Sequence, residues 1–186
     1  MTCVVGLVDK GTVYIGVDSA AVQGWTRRKS KVAKVFRRGP FLIGYTTSFR
    51  MGQLLQHHLD VPPQEAAQDD VAYLVTHFIE KARALFKEKG FTKVESNTEK
   101  GGQFLVGYKG RLYSVESDFQ VGEHEDGYDA IGSGADFALG ALAALTRLKP
   151  TERITRALEI AAHFNMGVCA PFSIESLAPP ARPPKR

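Results

Sequence analysis

Residues 3–8, Cys-Val-Val-Gly-Leu-Val, run apolar without a break, and no other stretch constrains the fold as tightly. The run reads as a buried strand. The turn Asp9-Lys10-Gly11 follows, then a second strand, Thr12-Val13-Tyr14-Ile15-Gly16-Val17. That strand ends on Asp18. An antiparallel hairpin therefore carries Asp18 back to where the first strand begins, next to Thr2, and Thr2 is held by the strand it leads into.

Thr2 follows Met1. Methionine is usually trimmed when a small residue comes next, and threonine is small enough. A freed N-terminal threonine carries a hydroxyl and an amine on one residue, and the amine can act as base for its own hydroxyl. With an unperturbed pKa of roughly 7.7–8.0, a usable fraction of such an amine is neutral near pH 7. Taken alone the signal is weak, since most chains that begin Met-Thr have an ordinary frayed terminus.

A chain of 186 residues suits one domain with a sizeable core, expected over 1–177. No apolar run is long enough to cross a membrane, and no basic-then-apolar leader precedes the first strand. Cys3 and Cys169 lie far apart and make no metal-ligand spacing, so a reducing, cytoplasmic setting is expected, with no disulfide framework, metal or cofactor. Net charge is a mild +4, with basic residues gathered at Arg27-Arg28-Lys29, Lys31, Lys34 and Arg37-Arg38. No nucleic-acid-binding module accompanies them, and they read as a solvated loop edge.

Farther along, residues 19–30 form a polar loop, residues 31–36 alternate as a short strand, and residues 41–46 make an apolar strand suited to a sheet covered on both faces. Ser48 is placed to cap a helix through about His58, which stops before Val61-Pro62-Pro63. Residues 70–88 carry one apolar stripe at helical spacing. His57, His58 and His77 lie on these two helices and read as packing or surface residues. Residues 91–101 look like a polar loop. Strands at 103–108 and 111–115 join through Lys109-Gly110, and another runs from Tyr128 to Ile131. Helices follow at 132–148 and 151–164, then a short strand at 172–174. The Pro-rich basic tail, 178–186, reads as disordered. Two face-to-face sheets with a helix pair outside each would bury every apolar stripe, an α+β architecture arranged as a four-layer αββα sandwich.

The ordered set of motifs resembles the proteasome β-subunit and HslV group of N-terminal-nucleophile hydrolases. Asp18 follows Thr2 by sixteen residues, and Lys34 follows Asp18 by sixteen. Lys34-Val35 enters a strand, and Ala130-Ile131-Gly132-Ser133-Gly134 precedes a helix containing Phe137-Ala138-Leu139. The resemblance spans most of residues 2–177. It implies the αββα sandwich and closed rings that stack around a chamber. Thr2 would be the nucleophile. Lys34 would favour its alkoxide and hold down the amine's pKa, Asp18 would keep Lys34 charged, and Ser133 would help shuttle the proton. Without the resemblance, Asp18 and Lys34 read as a plain ion pair between neighbouring strands.

This sequence departs from the pattern twice. The family usually has Gly-Gly after the strand ending here at Gly44-Tyr45, to supply an oxyanion-binding N–H; here the segment is Thr46-Thr47-Ser48. A backbone donor at Thr47 (or Ser48) needs no glycine. Tyr45 falls at a specificity-pocket position. Many members also carry an aspartate after the last helix; here residues 162–167 hold no acid, leaving His163 or Asn165 as substitutes. With nothing ahead of Thr2 but Met1, the chain is expected to be closer to HslV and other bacterial proteasome-like proteins. The activity expected is that of a threonine-type endopeptidase acting on polypeptide in stacked homo-oligomeric rings, with delivery by a separate AAA+ ATPase. The alternatives are a catalytically silent ring or scaffold subunit and a small-amide hydrolase of the same superfamily.

Overall fold

The computed structural model describes residues 1–179; the tail expected over 178–186 lies outside the described residues from 180 onward. The expected hairpin forms: β1 (Val4–Asp9) pairs antiparallel with β2 (Thr12–Val17), with Val4 opposite Val17. β12 (Tyr128–Ile131) and β13 (Ser173–Leu177) flank this pair in the order β12-β1-β2-β13. A second sheet has the order β11-β10-β9-β6-β5, built from β5 (Val35–Arg38), β6 (Phe41–Tyr45), β9 (Phe104–Tyr108), β10 (Arg111–Val115) and β11 (Val121–Gly122).

The two sheets pack face to face over Val4, Val13, Ile15, Val17, Leu42, Leu105 and Leu112. Gly44 permits the close approach: a Cβ there would sit 2.6 Å from Ile15 and 2.8 Å from Val4. Helices α4 (Ala135–Ala144) and α5 (Pro150–Phe164) cover the outer face of the first sheet through Ala138, Leu142, Ile154 and Leu158. On the far side, α1 (Phe49–His58) and a long rod cover the second sheet. The rod runs through α2 (Asp70–Tyr73), a π-helical stretch (Leu74–Ile79) and α3 (Glu80–Glu88). This is the four-layer αββα sandwich, and it explains why the central strands β1, β6 and β9 are continuous apolar runs: they are buried along most or all of their length.

Several boundaries differ from the sequence expectation. The loop at 19–30 is a second hairpin, β3 (Ala20–Gln23) with β4 (Thr26–Lys29). Every residue of β4 is exposed, so it carries no apolar alternation to reveal it. The polar loop at 91–101 likewise holds a small hairpin, β7 (Lys93–Glu95) with β8 (Thr98–Lys100). β5 starts at Val35, because Lys34 turns inward and is 1% exposed. α4 ends at Ala144 and not Leu148; Pro150 opens α5, and the residue before a proline is disfavoured in a helix. Ser48 caps α1 as expected, its side chain accepting from the Arg50 and Met51 N–H groups.

Candidate active site

Both sheets deliver side chains to one end of the sandwich. The β1–β2 register places Cys3 next to Asp18: the Asp18 N–H donates to the Cys3 carbonyl at 3.3 Å, and the Cys3 N–H donates to Asp18 Oδ1 at 3.1 Å. Thr2 extends β1 by two residues into the same corner. From the second sheet, Lys34 enters at the start of β5, its carbonyl accepting from the Tyr45 N–H. Thr2, Asp18 and Lys34 are 4%, 2% and 1% exposed.

The Lys34 ammonium joins the other two. Its Nζ donates to Thr2 Oγ at 2.8 Å and to Asp18 Oδ1 at 2.8 Å, and lies 5.8 Å from the centre of the Phe49 ring. Burial pushes its pKa below the ordinary 10.5, because the charged form is desolvated; Asp18 opposes that shift by charge and hydrogen bond. Asp18 does more than pair with Lys34. Its carboxylate also accepts from the Ala20 N–H at 2.6 Å and the Cys169 N–H at 3.3 Å. It thereby fastens β1, β3 and the segment before β13 around the lysine.

Ser133 lies in the turn between β12 and α4. Gly132, at φ +94°, lets that turn run against Thr2; a Cβ there would sit 2.4 Å from the Thr2 carbonyl oxygen. The Thr2 N–H donates to Ser133 Oγ at 3.2 Å, and the Gly134 N–H reaches the Thr2 carbonyl at 3.3 Å. Asn165, just past α5, contacts Ser133 from behind: Ser133 Oγ to Asn165 Oδ1 is 3.2 Å. His163 is exposed, its ring edge-on to Phe164. Of the two residues that could replace the missing acid, Asn165 is therefore the one beside Ser133. Its sequence signal is the Asn-Met-Gly turn after a helix, where the asparagine oxygen accepts from the N–H two residues on.

The segment where glycines were expected turns sharply. Thr47 has φ +71°, and the Ser48 N–H closes a three-residue turn onto the Thr46 carbonyl at 2.8 Å. The Thr46 N–H is spent on the Gln103 carbonyl. Among the described residues the Thr47 N–H has no such acceptor, and Thr47 lines the cavity at Thr2. A threonine at positive φ is strained, and such strain concentrates at functional sites. With Met1 in place that cavity holds about 70 Å³, walled by Met1, Ala20, Val22, Lys34, Tyr45 and Phe49. Tyr45 is 2% exposed, its ring packed over Gly52, and burial pushes its phenol up to about 12. Phe49, which sequence reasoning missed, closes the cavity.

Wider clefts open on both sides. One of about 570 Å³ shares Val22 and Phe49 with the central cavity; another of about 650 Å³ shares Thr47 and Ser48. Among the described residues, no three His, Cys, Asp or Glu side chains are grouped to hold a metal ion, and no helix is long and apolar enough to cross a membrane.

No protein-family model matches the sequence. The chain is 30% identical over 135 residues to the ATP-dependent protease subunit HslV of Caldicellulosiruptor saccharolyticus, covering 71% of this chain and 70% of that protein. Among solved structures it superposes on Thiobacillus denitrificans BPH in complex with epoxomicin with a TM-score of 0.80, at 23% identity, over 95% of this chain and 100% of that one. HslV from Trypanosoma brucei gives a TM-score of 0.65 at 19% identity, over 95% and 99%. Anbu from Yersinia bercovieri gives 0.66 at 14%, over 96% and 82%.

Proposed function

Because this chain belongs to the HslV family of proteasome-like proteins, we propose that it is a threonine-type endopeptidase whose nucleophile is Thr2, freed by removal of Met1. The observation that carries this is the Lys34 ammonium, buried and donating to Thr2 Oγ with Asp18 behind it. An ammonium at 2.8 Å from a hydroxyl oxygen favours the alkoxide, and its burial strengthens that effect.

The steps follow from the positions. The freed Thr2 amine, beside Ser133 Oγ, takes the hydroxyl proton. Thr2 Oγ attacks the substrate carbonyl carbon, and the oxyanion that forms meets the Thr47 N–H. The tetrahedral species collapses: the C–N bond breaks, the leaving nitrogen takes the proton from the Thr2 ammonium, and an ester to Thr2 remains. Water, deprotonated by the same amine, then hydrolyses the ester and restores the hydroxyl.

The clefts on either side of Thr2 suit an extended polypeptide, and removal of Met1, which lines the central cavity, opens that cavity to a side chain on the acyl side of the scissile bond. That combination supports an endopeptidase over a hydrolase of small amides. A relative named as a subunit of an ATP-dependent protease supports assembly with other subunits and polypeptide delivery by a separate AAA+ ATPase; homo-oligomeric stacked rings and a cytoplasmic setting belong to the same proposal.

Intact mass before and after incubation with epoxomicin tests the reading, because a peptide epoxyketone bridges a terminal amine and its own hydroxyl. Loss of Met1 and one adduct per chain, absent from Thr2→Ala, is expected. A retained Met1 with no adduct would instead support a silent ring or scaffold subunit.

A further inference from the structure

We infer that Asn165 is the positioning residue that sets the hydrogen-bond direction of Ser133 and thereby tunes the Thr2 amine; this rests on Thr2 being the nucleophile. The orientation of the Asn165 amide is fixed by its neighbours. The Gly167 backbone N–H lies 2.8 Å from one amide atom and can only donate, so that atom is Oδ1. The other atom lies 2.5 Å from the Ser133 carbonyl, which can only accept, so it is Nδ2. Oδ1 therefore faces Ser133 Oγ, at 3.2 Å.

Ser133 has one proton and two lone pairs. Its proton goes to Asn165 Oδ1, the nearer of two acceptors, since the Thr2 carbonyl lies at 3.4 Å. A lone pair is then left facing the Thr2 nitrogen at 3.2 Å. Ser133 is thus held as an acceptor from the Thr2 amine. Once Met1 is gone, an N–H of that amine points to Ser133, and its own lone pair is free for the Thr2 hydroxyl.

An aspartate could not take this place unchanged. One carboxylate oxygen would fall where Nδ2 now donates to the Ser133 carbonyl, setting two acceptors against each other. Its negative charge would also stabilise the protonated amine, which must be neutral to act as a base. The amide keeps the hydrogen-bond direction and leaves out the charge.

The test uses protein labelled with 13C-threonine and freed of Met1, and it reads the Thr2 amine pKa from the pH dependence of the Thr2 Cβ shift. Epoxomicin adduct rates are measured beside it. Asn165→Asp should raise the amine pKa by about one unit, as expected for a partly solvated charge one residue removed. Asn165→Leu removes the nearer acceptor and leaves the Ser133 proton shared between the Thr2 carbonyl, at 3.4 Å, and the amine lone pair, so the amine pKa should fall and the adduct rate drop at least tenfold. In a Ser133→Ala background, Asn165→Leu should change neither quantity further. Wild-type amine titrations in both Asn165 variants would overturn the inference, even if their adduct rates fell through instability. Wild-type protein that forms no adduct would count against Thr2 as nucleophile, while the titration would still decide the role of Asn165.

Discussion

Removing Asp18 should cost the fold far more than removing Lys34, although either change should abolish turnover. The Asp18 carboxylate accepts four hydrogen bonds, from Cys3, Ala20 and Cys169 N–H groups and from the Lys34 ammonium. In Asp18→Ala three buried N–H groups lose their acceptor, at about 1–3 kcal/mol each. The ammonium loses its counter-charge, and breaking a buried pair from one side costs about 3–5 kcal/mol. These terms overlap, since the lysine can shed its proton and the backbone can relax. A net loss of about 4–6 kcal/mol is expected, a large part of the roughly 5–15 kcal/mol available to a typical domain. Lys34→Met also breaks the pair from one side, but three N–H donors still hold the carboxylate left behind, so its cost should stay at or below the low end of the range for a broken pair, about 3 kcal/mol. Urea unfolding at fixed protein concentration, followed by circular dichroism at 222 nm, measures the difference. Fluorescence would serve poorly, because the single tryptophan, Trp25, is fully exposed at a hairpin tip. The double variant should recover part of the Asp18→Ala loss. Equal costs for the two single variants, or an Asp18→Ala loss under about 1 kcal/mol, would refute the view of Asp18 as a hub.

Four further outcomes follow from the site. Burial depresses the Lys34 pKa, so kcat/KM for a fluorogenic peptide should fall as pH rises through that lowered value, with the alkaline limb below 10.5. In the same window the folded state binds fewer protons at Lys34 than the unfolded chain does, so the wild type should gain stability relative to Lys34→Met as pH approaches 10.5; a gain on lowering the pH would contradict the assignment. Burial also pushes the Cys3 thiol up to about 12, so peptide mapping after iodoacetamide treatment of native protein at pH 8 should find Cys3 unmodified. Phe49→Ala should enlarge the cavity at Thr2, and profiling with a peptide library should then show larger side chains accepted before the scissile bond; an unchanged profile would remove Phe49 as the limit on size.

Much of the fold and most of the site were legible in the residues. The apolar runs at β1, β2, β6 and β9 announced strands, that at β6 one covered on both faces, and the three-and-four spacing at 70–88 announced a helix. The paired hairpins β3–β4 and β7–β8 stayed hidden, because exposed strands need no apolar alternation. The family resemblance, carried by the Thr2–Asp18–Lys34 spacing and the Gly132-Ser133-Gly134 turn, pointed to Thr2, Asp18, Lys34 and Ser133, and the structure brings all four together. It also sets Thr47 and Tyr45 on the wall of the same cavity.

By itself the sequence determined the buried strands, the helices and the chemical types available at the nucleophile's corner, because these depend on local periodicity and on residue identity. Only the tertiary structure decided which groups meet. The choice of Asn165 over His163, the closing of the cavity by Phe49 and the three backbone N–H groups gathered on Asp18 all join segments far apart in the chain. Such contacts depend on how two sheets and a helix end converge in space, and no local pattern of residues encodes that convergence.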